Sequence, residues 1–225
     1  MAIFDRYAKD YKSHIKQASV LSLSRPDFFS RIKLDILQKA INSSQNNGRI
    51  LDFGCGIGLN INSLEQRFDA AEVIGVDESE ESLRFATKSH PGKRFLTNLS
   101  EVNKLGVKFN IIYCACVFHH IKVEERERYL TQLRGLLSQD GVIAIFEHNP
   151  FNPLTRLSVA LCELDKGVSL LYQKNVTDMG INLGMTLLTS QYYLVFPEFL
   201  NSWEKSMPWL GKFPLGAQHF SLFKV

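Results

Sequence analysis

The sequence of 225 residues predicts an α/β fold: a mostly parallel seven-stranded sheet with helices on both faces and an antiparallel strand at its C-terminal edge. Three observations predict it. From Arg49 onward, short apolar runs alternate with amphipathic stretches, the pattern of repeated strand–helix units. Each run is nearly continuously apolar, as strands are when both faces of a sheet are covered. The first run, Arg49 to Phe53, passes directly into glycines at alternate positions, Gly54, Gly56 and Gly58, ahead of a helix expected from about Leu59.

The elements follow in order. Phe4, Tyr7 and Tyr11 recur at helical spacing, and Phe28, Phe29, Ile32, Ile36, Leu37, Ala40 and Ile41 form an apolar stripe behind Ser24 and Pro26. The polar run at 43–48 closes that helix. Strands are expected at Arg49–Phe53, Glu72–Asp77, Arg94–Thr97, Phe109–Ala115 and Val142–Glu147, with helices between them. The helix after the fourth strand has the clearest apolar face, made by Tyr129, Leu130, Leu133, Leu136 and Leu137. Asn149 to Pro153 opens a segment of less regular pattern reaching about Leu183. Thr186–Phe196 and Gln218–Val225 return to strand-like composition and fit an antiparallel pair, because no amphipathic helix of crossover length separates them.

These elements read as one domain over residues 1–225. Within it lie N-terminal helices and a lid (1–47), a ligand-binding core (48–147), a variable segment over the site (148–184) and C-terminal strands (185–225). The apolar runs fall short of the roughly 20 residues that cross a bilayer, and the N-terminus lacks the continuous apolar core of a secretory signal. The four cysteines have no pairing or histidine spacing of a zinc site, so no metal is expected and reduced thiols in the cytoplasm are. Lys and Arg number 26 against 23 Asp and Glu, a net charge of +3 that is dispersed along the chain. A nucleic-acid footprint needs a clustered basic face, so nucleic acid is not an expected partner.

The glycine turn permits a tight corner and close approach of backbone to a ligand, whose polar part can meet N–H groups at the following helix start. Nineteen residues after Gly58, the second strand ends in Asp77, whose carboxylate can accept both hydroxyls of a ribose. His119 and His120 follow the fourth strand and His148 ends the fifth, at the carboxyl edge where open α/β sheets bind ligands. Each imidazole can serve as a general base or hold its loop by hydrogen bonds. Trp203, Met207, Trp209 and Phe213 can line an apolar acceptor pocket, face a membrane or close the edge of the core.

On these residues the sequence resembles the class I S-adenosylmethionine-dependent methyltransferases. Asp52, Gly54, Gly56 and Gly58 match the family's acid-then-GxGxG motif, Asp77 its ribose-binding acid, and Glu78 the neighbour beside the adenine. Phe109 to Ile121 resembles the fourth-strand motif and Leu136 to Ile143 the motif leading into the fifth strand. The resemblance implies a Rossmann-like fold and S-adenosylmethionine as cofactor, with S-adenosylhomocysteine as a product. It implies cofactor contacts at Asp52, Gly54, Cys55, Gly56, Asp77, Glu78, Asn98, Leu99, Cys114 and Ala115, with Tyr7 and Tyr11 in a lid helix over them. Asn98 stands where many relatives carry an acid, and Asn110 where an aspartate is common. Residues 146–156 and 209–218 are similar to a bacterial subgroup of uncharacterised small-molecule methyltransferases, a likeness that names no substrate; the family resemblance implies transfer to O, N or C of a small acceptor. Two alternatives share the cradle: a non-catalytic S-adenosylmethionine-binding module, and a nicotinamide-dependent oxidoreductase, whose turn would place its third glycine later.

Overall fold

The computed structural model describes residues 26–41 and 48–225. Most of the expected lid, including Phe4, Tyr7 and Tyr11, lies outside them. The first described helix, α1 (Pro26–Ala40), starts on a proline, whose fixed φ suits the first helical turn. It packs Phe28, Ile32, Leu34 and Leu37 onto the sheet.

Seven strands form one sheet in the order β3-β2-β1-β4-β5-β7-β6. They are β1 (Arg49–Phe53), β2 (Glu72–Val76), β3 (Arg94–Leu96), β4 (Phe109–Ala115), β5 (Leu137–His148), β6 (Thr186–Tyr193) and β7 (Gln218–Lys224). The first five are parallel. β7 runs antiparallel to both β5 and β6, so the reversed strand sits inside the terminal pair and β6 forms the edge.

The expected bounds of β1 and β4 hold to the residue. β5 begins five residues earlier than expected, because Leu137 pairs with Phe109 across a register shift before Val142 resumes the ladder beside Ile111. The helix after the glycine turn, α2 (Ile61–Phe68), starts two residues later than expected and buries Ile61, Leu64 and Phe68. The others along the core are α3 (Glu80–Ser89), α4 (Leu99–Lys104) and α5 (Arg126–Leu136), with α6 (Pro153–Leu161) and α7 (Gln173–Asn182) in the segment of irregular pattern and α8 (Asn201–Ser206) before β7.

Side chains alternate across the sheet, as period-two strands require. Leu51, Ile112, Cys114, Ile143 and Ile145 join one apolar cluster with Leu130, Leu133 and Val176 of α5 and α7. Ile50, Ile111, Tyr113, Val142 and Phe146 join another with α1 and α2. Fully burying an aliphatic side chain contributes about 1.5–3 kcal/mol, so this two-sided core outweighs any single helix propensity in fixing the layers. Among the described residues no helix is long and apolar enough to cross a membrane. Strand order reverses between β1 and β4, and such reversals open a crevice beyond the carboxyl ends of the strands.

Candidate active site

The turn after β1 is pinned to the end of β2. Gly54 and Cys55 N–H donate to the Val76 carbonyl at 2.8 and 3.1 Å. Gly56 N–H donates to Asp77 Oδ2 at 2.8 Å, and Ser79 N–H to Asp77 Oδ1 at 2.9 Å. Asp77 therefore holds the turn's shape. Gly54 has φ +73°, and a Cβ there would stand 2.4 Å from Val117 Cγ2. Only glycine fits both the backbone and the space.

Asp52 is buried beneath this turn, and its Oδ2 has no hydrogen-bond partner among the described residues; Asn60 Oδ1, beyond the turn, is a second such atom. Burial, reinforced by the Asp77 charge, pushes the Asp52 carboxyl up to about 7. An orphaned buried carboxyl is costly unless something polar or cationic meets it. Glu78 is exposed beside Asp77. Asn98 caps α4 by accepting the Glu101 N–H at 3.0 Å, so its side-chain oxygen already has a structural task. Leu99 and Cys114 are packed into the core and Cys55 is buried, while Ala115 is partly exposed. Asn110, at the other end of β4, accepts the Arg49 N–H at 3.2 Å and serves packing there.

A second group of residues gathers at the ends of β4 and β5. Glu147 is fully buried, and its Oε1 accepts Val117 and Phe118 N–H at 3.1 and 2.8 Å. Its Oε2 lies 2.6 Å from His119 Nδ1. The Nε2 atoms of His119 and His120 both face Asp165 Oδ1, at 3.4 and 3.3 Å. The His119 ring centre lies 4.1 Å from that of His120 and 5.2 Å from that of His148. All three histidines named from sequence are thus together.

Electrostatics separates their roles. Burial opposes charge on His119, but the Glu147 carboxylate and the bonds to both acids prevail and raise its pKa to about 10. Burial likewise opposes charge on Glu147, yet His119 holds it down near 2. Asp165 is lowered, its burial outweighed by the two imidazoles. His120 is lowered, chiefly by burial, and so is neutral at neutral pH.

Sequence reasoning missed four participants. Asp165 lies 46 residues beyond His119, in the segment of irregular pattern, so no local spacing announces it. Arg126 donates to the Phe118 and Ile121 carbonyls, both at 3.0 Å, and to the Ser169 carbonyl at 2.6 Å, clamping the histidine turn to the segment that carries Asp165. Cys116 takes the left-handed conformation at φ +56°. Its thiol lies 3.5 Å from Lys33 Nζ; burial disfavours the thiolate, but Lys33 and His148 lower the pKa to about 7. Lys33 did carry a signal, since its spacing from Phe29 and Leu37 sets it on the inward face of α1, where it is buried.

A family model described as a methyltransferase domain matches residues 50–141. An uncharacterized methyltransferase of Alkaliphilus oremlandii is 28% identical over 157 residues, covering 64% of this chain and 70% of that protein. A trans-aconitate 2-methyltransferase of Rhodopseudomonas palustris is 32% identical over 99 residues, covering 43% of this chain but only 37% of its own length. The solved structure of an S-adenosylmethionine-dependent methyltransferase from Mesorhizobium loti shares the fold with a TM-score of 0.61 at 18% identity, covering 85% of this chain and 96% of that one.

Proposed function

We propose, from the premise that this chain belongs to the class I S-adenosylmethionine-dependent methyltransferases, that residues 1–225 act as one domain methylating oxygen, nitrogen or carbon of a small-molecule acceptor. The observation that carries this reading is the placement of two sites on adjoining strand ends: the glycine turn and Asp77 after β1 and β2, and the histidine–carboxylate cluster after β4 and β5. Dispersed charge favours a small acceptor over nucleic acid.

The residues present fit the cofactor. The unpartnered Asp52 Oδ2 and the glycine turn kept open by the missing Cβ of Gly54 suit a cationic nucleoside ligand. Asp77 would take the ribose hydroxyls, the turn from Gly54 to Gly56 and Asp52 the amino-acid end, and Glu78, Asn98 and Leu99 the surroundings of the adenine. Cys114 and Ala115 would contribute backbone, with Tyr7 and Tyr11 as a lid. When bound, S-adenosylmethionine supplies an electrophilic methyl group.

The protein's own task is then largely positional, because alignment of two reactants can be worth effective molarities of about 10⁵–10⁸ M. Glu147 holds His119 as an imidazolium at neutral pH, which makes His119 a poor base and a fixed positive centre. Accepting a proton from the acceptor's heteroatom falls to a ring nitrogen of His120 or to His148. The segment 148–184, with α6 and α7, closes over the acceptor and limits water.

Calorimetry with S-adenosylmethionine and with NAD tests the cradle. Binding is expected for the former alone, weakened about 10–150-fold in Asp77→Ala, the equivalent of the roughly 1.5–3 kcal/mol of hydrogen bonds to a charged group. Release of S-adenosylhomocysteine across a panel of small acceptors tests the reaction. Tight cofactor binding with no turnover on any acceptor would overturn the catalytic reading, and preference for NAD would overturn the cradle.

A further inference from the structure

We propose that His119, His120 and Asp165 form a binding site for a divalent transition-metal ion of the zinc class. Their candidate ligand atoms all lie within 4.8 Å of one another. Two imidazole Nε2 atoms reach a single carboxylate oxygen, Asp165 Oδ1, at 3.4 and 3.3 Å. Both separations exceed the roughly 2.7–3.2 Å of a good N–H···O bond. They match the edge of a coordination tetrahedron, because ligands about 2.0–2.2 Å from an ion stand about 3.3–3.6 Å apart.

The surroundings add an independent argument. A metal-binding histidine usually donates its other ring N–H to a carboxylate, which fixes the tautomer and aims the free nitrogen at the ion. Glu147 is placed to do this for His119: it is fully buried, anchored by two backbone N–H groups, and 2.6 Å from Nδ1. An ion at Nε2 takes the place of the proton that His119 otherwise carries there, since the ligand is the neutral imidazole. The third ligand arrives on a separate segment, yet that segment is secured. Ser169 N–H donates to the His119 carbonyl at 3.3 Å, and Arg126 bridges both sides through backbone carbonyls. Two nitrogens and one oxygen are a borderline donor set, suited to Zn²⁺ or Co²⁺ over Mg²⁺ or Ca²⁺.

Three protein ligands leave a coordination position open, which is the arrangement of catalytic zinc centres. On the reading of function given above, that position takes the acceptor's oxygen or nitrogen and lowers the pKa of its O–H or N–H, with the released proton passing to His148, since His120 is then a metal ligand. Such a site also accounts for the convergence of a carboxylate from 46 residues away on a pair of adjacent histidines.

The test uses the full chain, freed of metal by chelator and returned to chelator-free buffer. It is titrated with Co²⁺, followed by visible absorption, and with Zn²⁺, followed by calorimetry. One equivalent is expected, with the intense ligand-field bands of tetrahedral cobalt. Asp165→Asn and His120→Gln are each expected to weaken binding at least about tenfold, the lower end of what loss of an outer-shell partner alone costs. Both are compared with Asp77→Ala, which is expected to keep its metal affinity while losing cofactor affinity. Absence of saturable one-to-one binding, or equal affinity in Asp165→Asn and His120→Gln, overturns the proposal. The readout needs no acceptor, so its failure with S-adenosylmethionine binding intact leaves the methyltransferase reading standing, and metal uptake without cofactor binding does the reverse.

Discussion

The substitution Asp52→Asn should become increasingly stabilising as pH rises across the neutral range. The Asp52 carboxyl is raised from 3.8 to about 7, first by burial and then by Asp77. The folded state therefore binds more protons than the unfolded chain between about pH 4 and pH 7, and stability falls as pH rises through that window. At about 1.4 kcal/mol for each tenfold change in proton affinity, the full loss is about 4 kcal/mol. An asparagine side chain keeps the shape and carries no charge, and its amide meets the same partnerless position that the native carboxyl already occupies, so the neutral forms of the two proteins bury an equivalent orphan. Near pH 4 the variant and the native protein should thus be of similar stability, and above about pH 8 the variant should be more stable by about 4 kcal/mol. Guanidinium unfolding of both proteins without cofactor measures the gap. Between about pH 5 and pH 8 it should move by about 3 kcal/mol in the variant's favour. A gap that stays constant over that range would refute the argument that Asp52 is held neutral by its surroundings.

Two further outcomes follow from the same geometry. Gly54→Ala places a Cβ 2.4 Å from Val117 on a backbone with φ +73°; overpacking and the left-handed conformation together should cost about 2–5 kcal/mol, seen as a lower denaturation midpoint. Glu147→Gln removes the buried counter-charge of His119, so the variant should lose about 3–5 kcal/mol, and its His119 imidazole should titrate well below the native value of about 10 when followed by NMR. The signs differ at the two ends of the pH scale. Stability from the raised His119 is complete below its ordinary pKa of 6.5 and is lost as pH rises toward about 10. Stability from the lowered Glu147 is complete above 4.5 and is lost as pH falls toward about 2.

Local chemistry determined much of this protein from the sequence alone. β1 announces its end because its apolar run passes into Gly54, and β4 shows as an apolar run whose end the left-handed turn at Cys116 fixes. The glycine turn is legible because left-handed backbone and close approach exclude other side chains, and Asp77 because it ends the next strand in the unit. Elements whose limits depend on a distant partner were not legible in the same way. β5 starts at Leu137 because that residue finds Phe109, and the reversed strand β7 lies inside the pair because β5 and β6 both take its hydrogen bonds. Asn98 carries a local signal as a helix cap, because Glu101 stands three residues beyond it, but no spacing along the chain marks Asp165 as a neighbour of two histidines. Sequence carries what neighbouring residues impose on the backbone through sterics and periodicity. The pairing of Glu147 with His119, and the meeting of His119, His120 and Asp165, exist only once packing of the sheet and of Arg126 across two loops has fixed distances that the chain itself leaves open.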